Sequence, residues 1–122
     1  MQILLAEDDD FLRRVYSDRF TESGYEVTGV EDGEKGLQMI KERKFDLILC
    51  DVLMPKMDGL KMLAAARENG TLGSTPVVML TNIDDAKERE TAAKLGVKEY
   101  FLKTGMNIDE LVQIVKVLSP LP

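Results

Sequence analysis

The chain has 122 residues, enough for one domain with its own hydrophobic core and too few for two. Its 44% hydrophobic and 31% charged residues are ordinary for a globular protein, and a net charge of −6 without clustered Lys and Arg argues against direct nucleic-acid binding. A single cysteine excludes an intrachain disulfide, and the lack of histidine removes the usual general base, the commonest transition-metal ligand and any phosphohistidine of the chain's own. No early apolar stretch has the length of a leader and no run approaches a membrane span, so a reducing, cytoplasmic setting is expected.

In chain order, residues 3–6 form an apolar run expected to be a strand. A helix is expected over 10–23, with Leu12, Val15, Tyr16 and Phe20 at helical spacing and Gly24 as its stop. A weaker strand covers Glu26–Val30, and Asp32 with Gly33 makes a turn. The helix expected over 34–43 turns Leu37 and Ile40 inward. Residues 47–50 are continuously apolar, as a strand covered on both faces must be. A Met-Pro-Lys-Met-Asp-Gly loop leads to a helix over 60–69, closed by Gly70. Pro76 precedes a strand over 77–80, and a helix over 84–95 stops at Gly96. A last strand, 100–102, and a last helix, 107–118, end before Pro120. Five βα units argue for an α/β fold with a parallel sheet and, through right-handed crossovers, helices on both faces. Residues 1–118 make the domain, and 119–122 read as a chain end or the start of a linker.

Four strands end in chemically active residues: Glu7, Asp8, Asp9 and Asp10 after the first, Asp51 at the third, Thr81 at the fourth and Lys103 at the fifth. A parallel sheet brings these ends to one edge, where open α/β sheets place their ligands. Crowded carboxylates repel unless a cation compensates, and a set of oxygen donors without histidine suits Mg²⁺ better than zinc or copper. Acids, a metal, one lysine and one hydroxyl suit phosphoryl transfer, with a carboxylate as nucleophile. Taken singly the same residues have plainer readings. An acidic run caps a helix, Asp51 starts a turn, Thr81 caps a helix, Lys103 is a surface charge and Tyr100 packs in the core.

The segments Ile-Leu-Leu-Ala-Glu-Asp-Asp, Asp-Val-Leu-Met-Pro-Lys-Met-Asp-Gly, Met-Leu-Thr and Tyr-Phe-Leu-Lys, in this order and spacing, resemble the response-regulator receiver family over essentially the whole chain. The resemblance implies a doubly wound, flavodoxin-like (βα)5 fold with strand order 2-1-3-4-5. It implies a phosphorelay switch, not a turnover enzyme, phosphorylated on Asp51 by a sensor histidine kinase or phosphotransfer protein. Asp8 resembles the direct Mg²⁺ ligand, Glu7 its partner through water, Asp51 a second ligand and the Leu53 carbonyl a third, with Asp9 beside a metal-bound water. Lys103 and Thr81 would hold the phosphoryl oxygens, and Tyr100 resembles the aromatic switch. The output would be the surface of the fourth helix, fifth strand and fifth helix, read by a protein partner, an effector domain beyond the tail, or a second copy in a homodimer.

Asn82 stands where the family has a small residue and would restrict Tyr100. Thr104 follows Lys103 where the family has a cis proline, and a cis bond without proline costs roughly 3 kcal/mol, so none is assumed. Leu53 and Ile83 flank the route of an attacking water and, being apolar, imply slow loss of the phosphoryl group. Cys50 reads as a small buried hydrophobe, and the methionines as packing, except Met54 and Met57 beside the site. On the last helix Ile108, Leu111, Val112, Val115 and Leu118 form an inward stripe, which Ile114 and Val117 leave. The fourth helix has only Ala86, Ala92, Ala93 and Leu95 to bury. Three other functions remain open. One is an interaction module independent of phosphorylation. Another is a flavin carrier of the same topology, which the acidic run after the first strand opposes. The third is an aspartate-based Mg²⁺ phosphatase, which would need a second acidic motif late in the chain.

Overall fold

Alternate residues of the central strands feed two separate cores, and that division organises the molecule. The computed structural model describes residues 1–122. Its elements are β1 (Gln2–Ala6), α1 (Asp10–Glu22), β2 (Glu26–Val30), α2 (Gly33–Glu42), β3 (Leu47–Asp51), α3 (Gly59–Glu68), β4 (Val77–Thr81), α4 (Ala86–Lys94), β5 (Glu99–Leu102) and α5 (Ile108–Leu118). All strand pairs are parallel, in the order β2-β1-β3-β4-β5.

Successive strand side chains point to opposite faces. Leu4, Ala6, Ile48, Cys50, Val77 and Met79 therefore face one core, closed by Ile40 of α2, Met62, Leu63 and Ala66 of α3, and Ala92 of α4. Ile3, Leu5, Leu47, Leu49, Val78 and Leu80 face the other, closed by Tyr16 and Phe20 of α1 and Leu111, Val112 and Val115 of α5. β3 and β4 are buried throughout, which is why they read as unbroken apolar runs, whereas the edge strand β5 has no buried residue. Cys50 is fully buried, as expected.

Each helix begins on an acid or amide side chain that accepts from its first-turn N–H groups: Asp9, Asp32, Asp58, Asp85 and Asn107. Capping by Asp85 makes α4 start at Ala86, later than expected. α4 is also thinner than the sequence suggested: Ala92 alone is buried, Leu95 is half-buried, and Ala86 and Ala93 are exposed. On α5 the expected stripe faces inward, Ile114 is half-buried, and Val117 is 79% exposed. Residues 119–122 fold back: the Tyr25 hydroxyl donates to the Ser119 carbonyl at 2.8 Å, and Leu121 packs over Gly24. All peptide bonds are trans, including Lys103–Thr104.

Candidate functional site

The C-terminal edge of the sheet carries the acids. Glu7 follows β1 directly and is buried, Asp8 is exposed, and Asp51 is the buried last residue of β3. One carboxylate oxygen from each of these three lies within 4.8 Å of the others. Lys103, just past β5, spans the group: its Nζ donates to Asp51 Oδ2 at 2.7 Å and to Glu7 Oε1. The Lys103 N–H donates to the Thr81 carbonyl at 2.7 Å, which fixes the lysine's root against the end of β4. These side chains line an open depression of about 230 Å³ together with Asp9, Leu12, Leu53 and Asn82.

Burial pushes the Glu7 carboxyl up from 4.5 to about 7, against the pull of hydrogen bonds from Lys103 and from the Asp9 N–H. Burial also opposes the Lys103 charge, but hydrogen bonds and attraction from Asp51 and Glu7 outweigh it and raise that pKa. The two shifts pull apart, since only an ionised Glu7 helps to hold the Lys103 charge. Glu7, a carboxylate cut off from water beside Asp51, holds its charge at a cost. A divalent cation relieves that cost, and carboxylate oxygens around an open depression are the donor set Mg²⁺ takes. The residues present therefore fit the ion.

Two glycines shape the loop after Asp51. A Cβ on Gly59 would stand 2.0 Å from the Asp51 carbonyl oxygen, and one on Gly33 would stand 2.0 Å from the Met57 carbonyl oxygen. The chain therefore folds back on the strand end it has just left, closed by a 2.8 Å bond from the Gly59 N–H to the Val52 carbonyl. Lys56 sits in the left-handed region at φ 67° within this turn. Leu53 is 53% exposed on the depression, while Met54 and Met57 pack on the first core.

Thr81 is wholly buried, and its hydroxyl accepts from the Ile83 N–H at 3.1 Å, a local turn and not a helix cap. Tyr100 is half-buried between β5 and α4. Its hydroxyl lies 3.5 Å from Glu88 Oε2, and the Arg89 guanidinium sits 4.7 Å from its ring centroid. Burial, then the charge of Glu88, raises the Tyr100 pKa. Glu88 and Arg89 were not singled out in the sequence. Their position three and four residues after the Asp85 cap was the available signal, but nothing local says which strand residue they meet. Arg13 likewise has contacts that no local pattern announces: its Nη1 donates to the Glu7 carbonyl at 2.8 Å and its Nη2 to Asp10 Oδ1 at 2.6 Å.

The family model for the response regulator receiver domain matches residues 3–116. The chain belongs to that family. Among its relatives, the probable transcriptional regulator ycf27 of Porphyridium aerugineum is 32% identical over 84% of this chain and 41% of its own length. The transcriptional regulatory protein PcoR of Escherichia coli is 32% identical over 96% of this chain and 50% of its own. The chain thus spans half or less of these relatives. Among solved structures, the receiver domain of the Francisella response regulator 1452 superposes with a TM-score of 0.88 at 30% identity, covering 97% of this chain and 95% of that one. The Vibrio cholerae chemotaxis protein CheY4 superposes with a TM-score of 0.86 at 26% identity, covering 96% and 97%. The receiver fold and strand order expected from the resemblance are those observed. Receiver domains are signalling switches of two-component systems, not classical enzymes, and the family binds Mg²⁺ at an acidic pocket. No helix here is long and apolar enough to cross a membrane.

Proposed function

We propose that this receiver domain accepts a phosphoryl group on Asp51 from the phosphohistidine of a sensor histidine kinase or phosphotransfer protein. The observation that supports this most is the Lys103 ammonium bridging Asp51 Oδ2 and Glu7 at the mouth of an open acidic depression. Lys103 holds one Asp51 oxygen and leaves the other to attack phosphorus. The new bond is P–O. The P–N bond breaks, and the imidazole leaves with the electron pair and takes up a proton. Glu7, Asp8, Asp51 and the Leu53 carbonyl would hold Mg²⁺, which when bound neutralises charge on the crowded oxygens. Lys103, which already donates to Asp51 and Glu7, then has a third acceptor in the phosphoryl group, and Thr81 can exchange its bond from the Ile83 N–H for one to a phosphoryl oxygen. That exchange would loosen the turn before α4 beside Tyr100, and so alter the α4-β5-α5 surface.

Intact mass after incubation with Mg²⁺ and acetyl phosphate tests the reading. The wild-type protein should gain about 80 Da, one covalent phosphoryl group, and Asp51→Asn should gain nothing. No gain in wild type, alongside a control receiver that is labelled, would leave an interaction module independent of phosphorylation.

Leu53 and Ile83, 53% and 39% exposed, present only hydrocarbon where a water would approach. The phosphorylated protein should therefore persist well beyond seconds. Leu53→Asn, which can orient a water, should hasten its decay by about tenfold or more, below what full acid–base catalysis supplies. Decay within seconds in the wild type would refute this. The partner, or a second copy, is expected on α5 at Ile114 and Val117. The double variant Ile114→Glu, Val117→Glu should weaken that association while leaving phosphorylation intact, and unchanged association would remove the surface.

A further inference from the structure

Two residues outside the family motifs, one on α1 and one on β2, meet behind the acidic loop. Arg13 is directed across its own helix N-terminus. One guanidinium nitrogen donates to the Glu7 backbone carbonyl at 2.8 Å and another to Asp10 Oδ1 at 2.6 Å. β1 pairs with β2 only as far as Ala6 opposite Val30, and the Glu7 N–H makes one further bond, to the Val30 carbonyl at 3.0 Å. The Glu7 carbonyl lies past the ladder, and Arg13 supplies the donor that a neighbouring strand would otherwise give. The arginine's stem needs room to do so. A Cβ on Gly29 would stand 3.3 Å from Arg13 Cδ, tighter than ordinary contact, and 3.4 Å from Cγ, at its limit. Glycine inside a strand weakens it, and close approach of a neighbour is a physical reason to keep one there.

We infer that Arg13, seated on Gly29, is a positioning residue for the cation site: it holds the β1–α1 loop so that Glu7 and Asp8 meet Asp51. Resting on the Mg²⁺ reading above, the inference makes a prediction of opposite sign to simple electrostatics. Arg13 carries positive charge close to a cation site, so by Coulomb's law its removal should tighten Mg²⁺ binding. If Arg13 sets the loop, its removal weakens binding, as loss of groups that orient metal ligands does, by about tenfold or more. Its bond to Asp10 does not change this sign, because Asp10 is exposed and does not line the depression.

The experiment is titration of the full chain with Mg²⁺ alone, followed by the amide NMR shifts of Asp8, Asp9 and Val52, with thermal melts in parallel. Arg13→Ala should bind about tenfold more weakly or worse, and Arg13→Lys, which can reach one acceptor, should recover part of the loss. Gly29→Val is the second variant. It leaves every charge in place and puts a better strand former on β2, so stability should hold or rise while Mg²⁺ affinity falls. Affinity at the wild-type level in either folded variant overturns the inference. Absence of Mg²⁺ binding by the wild type would overturn the functional reading and this inference together, which separates the two failures.

Discussion

α3 and α4 lie on the same face of the sheet and are nearly the same length, yet they are held very differently. α3 buries Gly59, Met62, Leu63 and Ala66, and its first residue is locked under the Asp51 carbonyl. α4 buries Ala92 and little else. Beyond the half-buried Leu95 at its C-cap, which packs on the first core, its ties are Glu88 and Arg89 to Tyr100, and Arg67 of α3, whose Nε donates to the Leu95 carbonyl at 2.9 Å. Apolar burial is worth about 25 cal/mol per Å², so a helix that buries one alanine methyl is held by far less than its neighbour. Asp51, the proposed phosphoacceptor, thus sits beside a rigid element, and the surface proposed to respond sits on a loose one. A switch needs both, because a local charge event can move only what is weakly held.

The largest expected effect sharpens this contrast through the cores. Leu63→Ala removes a fully buried side chain and should cost about 2–5 kcal/mol in urea unfolding. Leu95→Ala, at the half-buried C-cap of α4, should cost about 1 kcal/mol, because less apolar area returns to water. Equal losses at the two positions would break the comparison and place hidden support under α4.

The same contrast explains what the sequence disclosed. β3 and β4 are buried on both faces, so their residues could be read as strands without knowing their neighbours. The gathering of the candidate residues at one edge was legible for a related reason: parallel strands must end together, so Glu7, Asp8, Asp51, Thr81 and Lys103 could be placed there from order alone. Sideways contacts were not legible. Arg13 on Gly29, and Arg89 on Tyr100, join an exposed or half-exposed helix residue to an edge strand, and no periodicity within one element encodes that. The thinness of α4 was only partly visible, because four small or apolar residues looked available and the helix turns just one of them fully inward. Gly59 stood in a recognised segment, but its steric necessity, a carbonyl oxygen where its Cβ would be, exists only in three dimensions.

The smallest expected effect bears most directly on the loose half. Arg89 stacks on Tyr100 and pairs with Asp84 at 3.2 Å, and both its partners and itself are solvent-accessible. An exposed cation–π contact is worth roughly 0.5–1 kcal/mol, so Arg89→Ala should scarcely move the global unfolding midpoint. Its effect should be local. Where opening of α4 is a sub-global event, that energy corresponds to amide exchange about two- to fivefold faster in Ala86–Lys94, while amides of α3 exchange as before. Tyr100 should gain rotational freedom in the same variant, readable as averaging of its ring NMR signals. Unchanged exchange in α4 would mean that the Tyr100 contacts do not restrain the helix, and that the Arg67 tie at its far end carries it alone. Faster exchange in α4 and α3 together would mean that the two helices open as one unit, and the division drawn between them would fail.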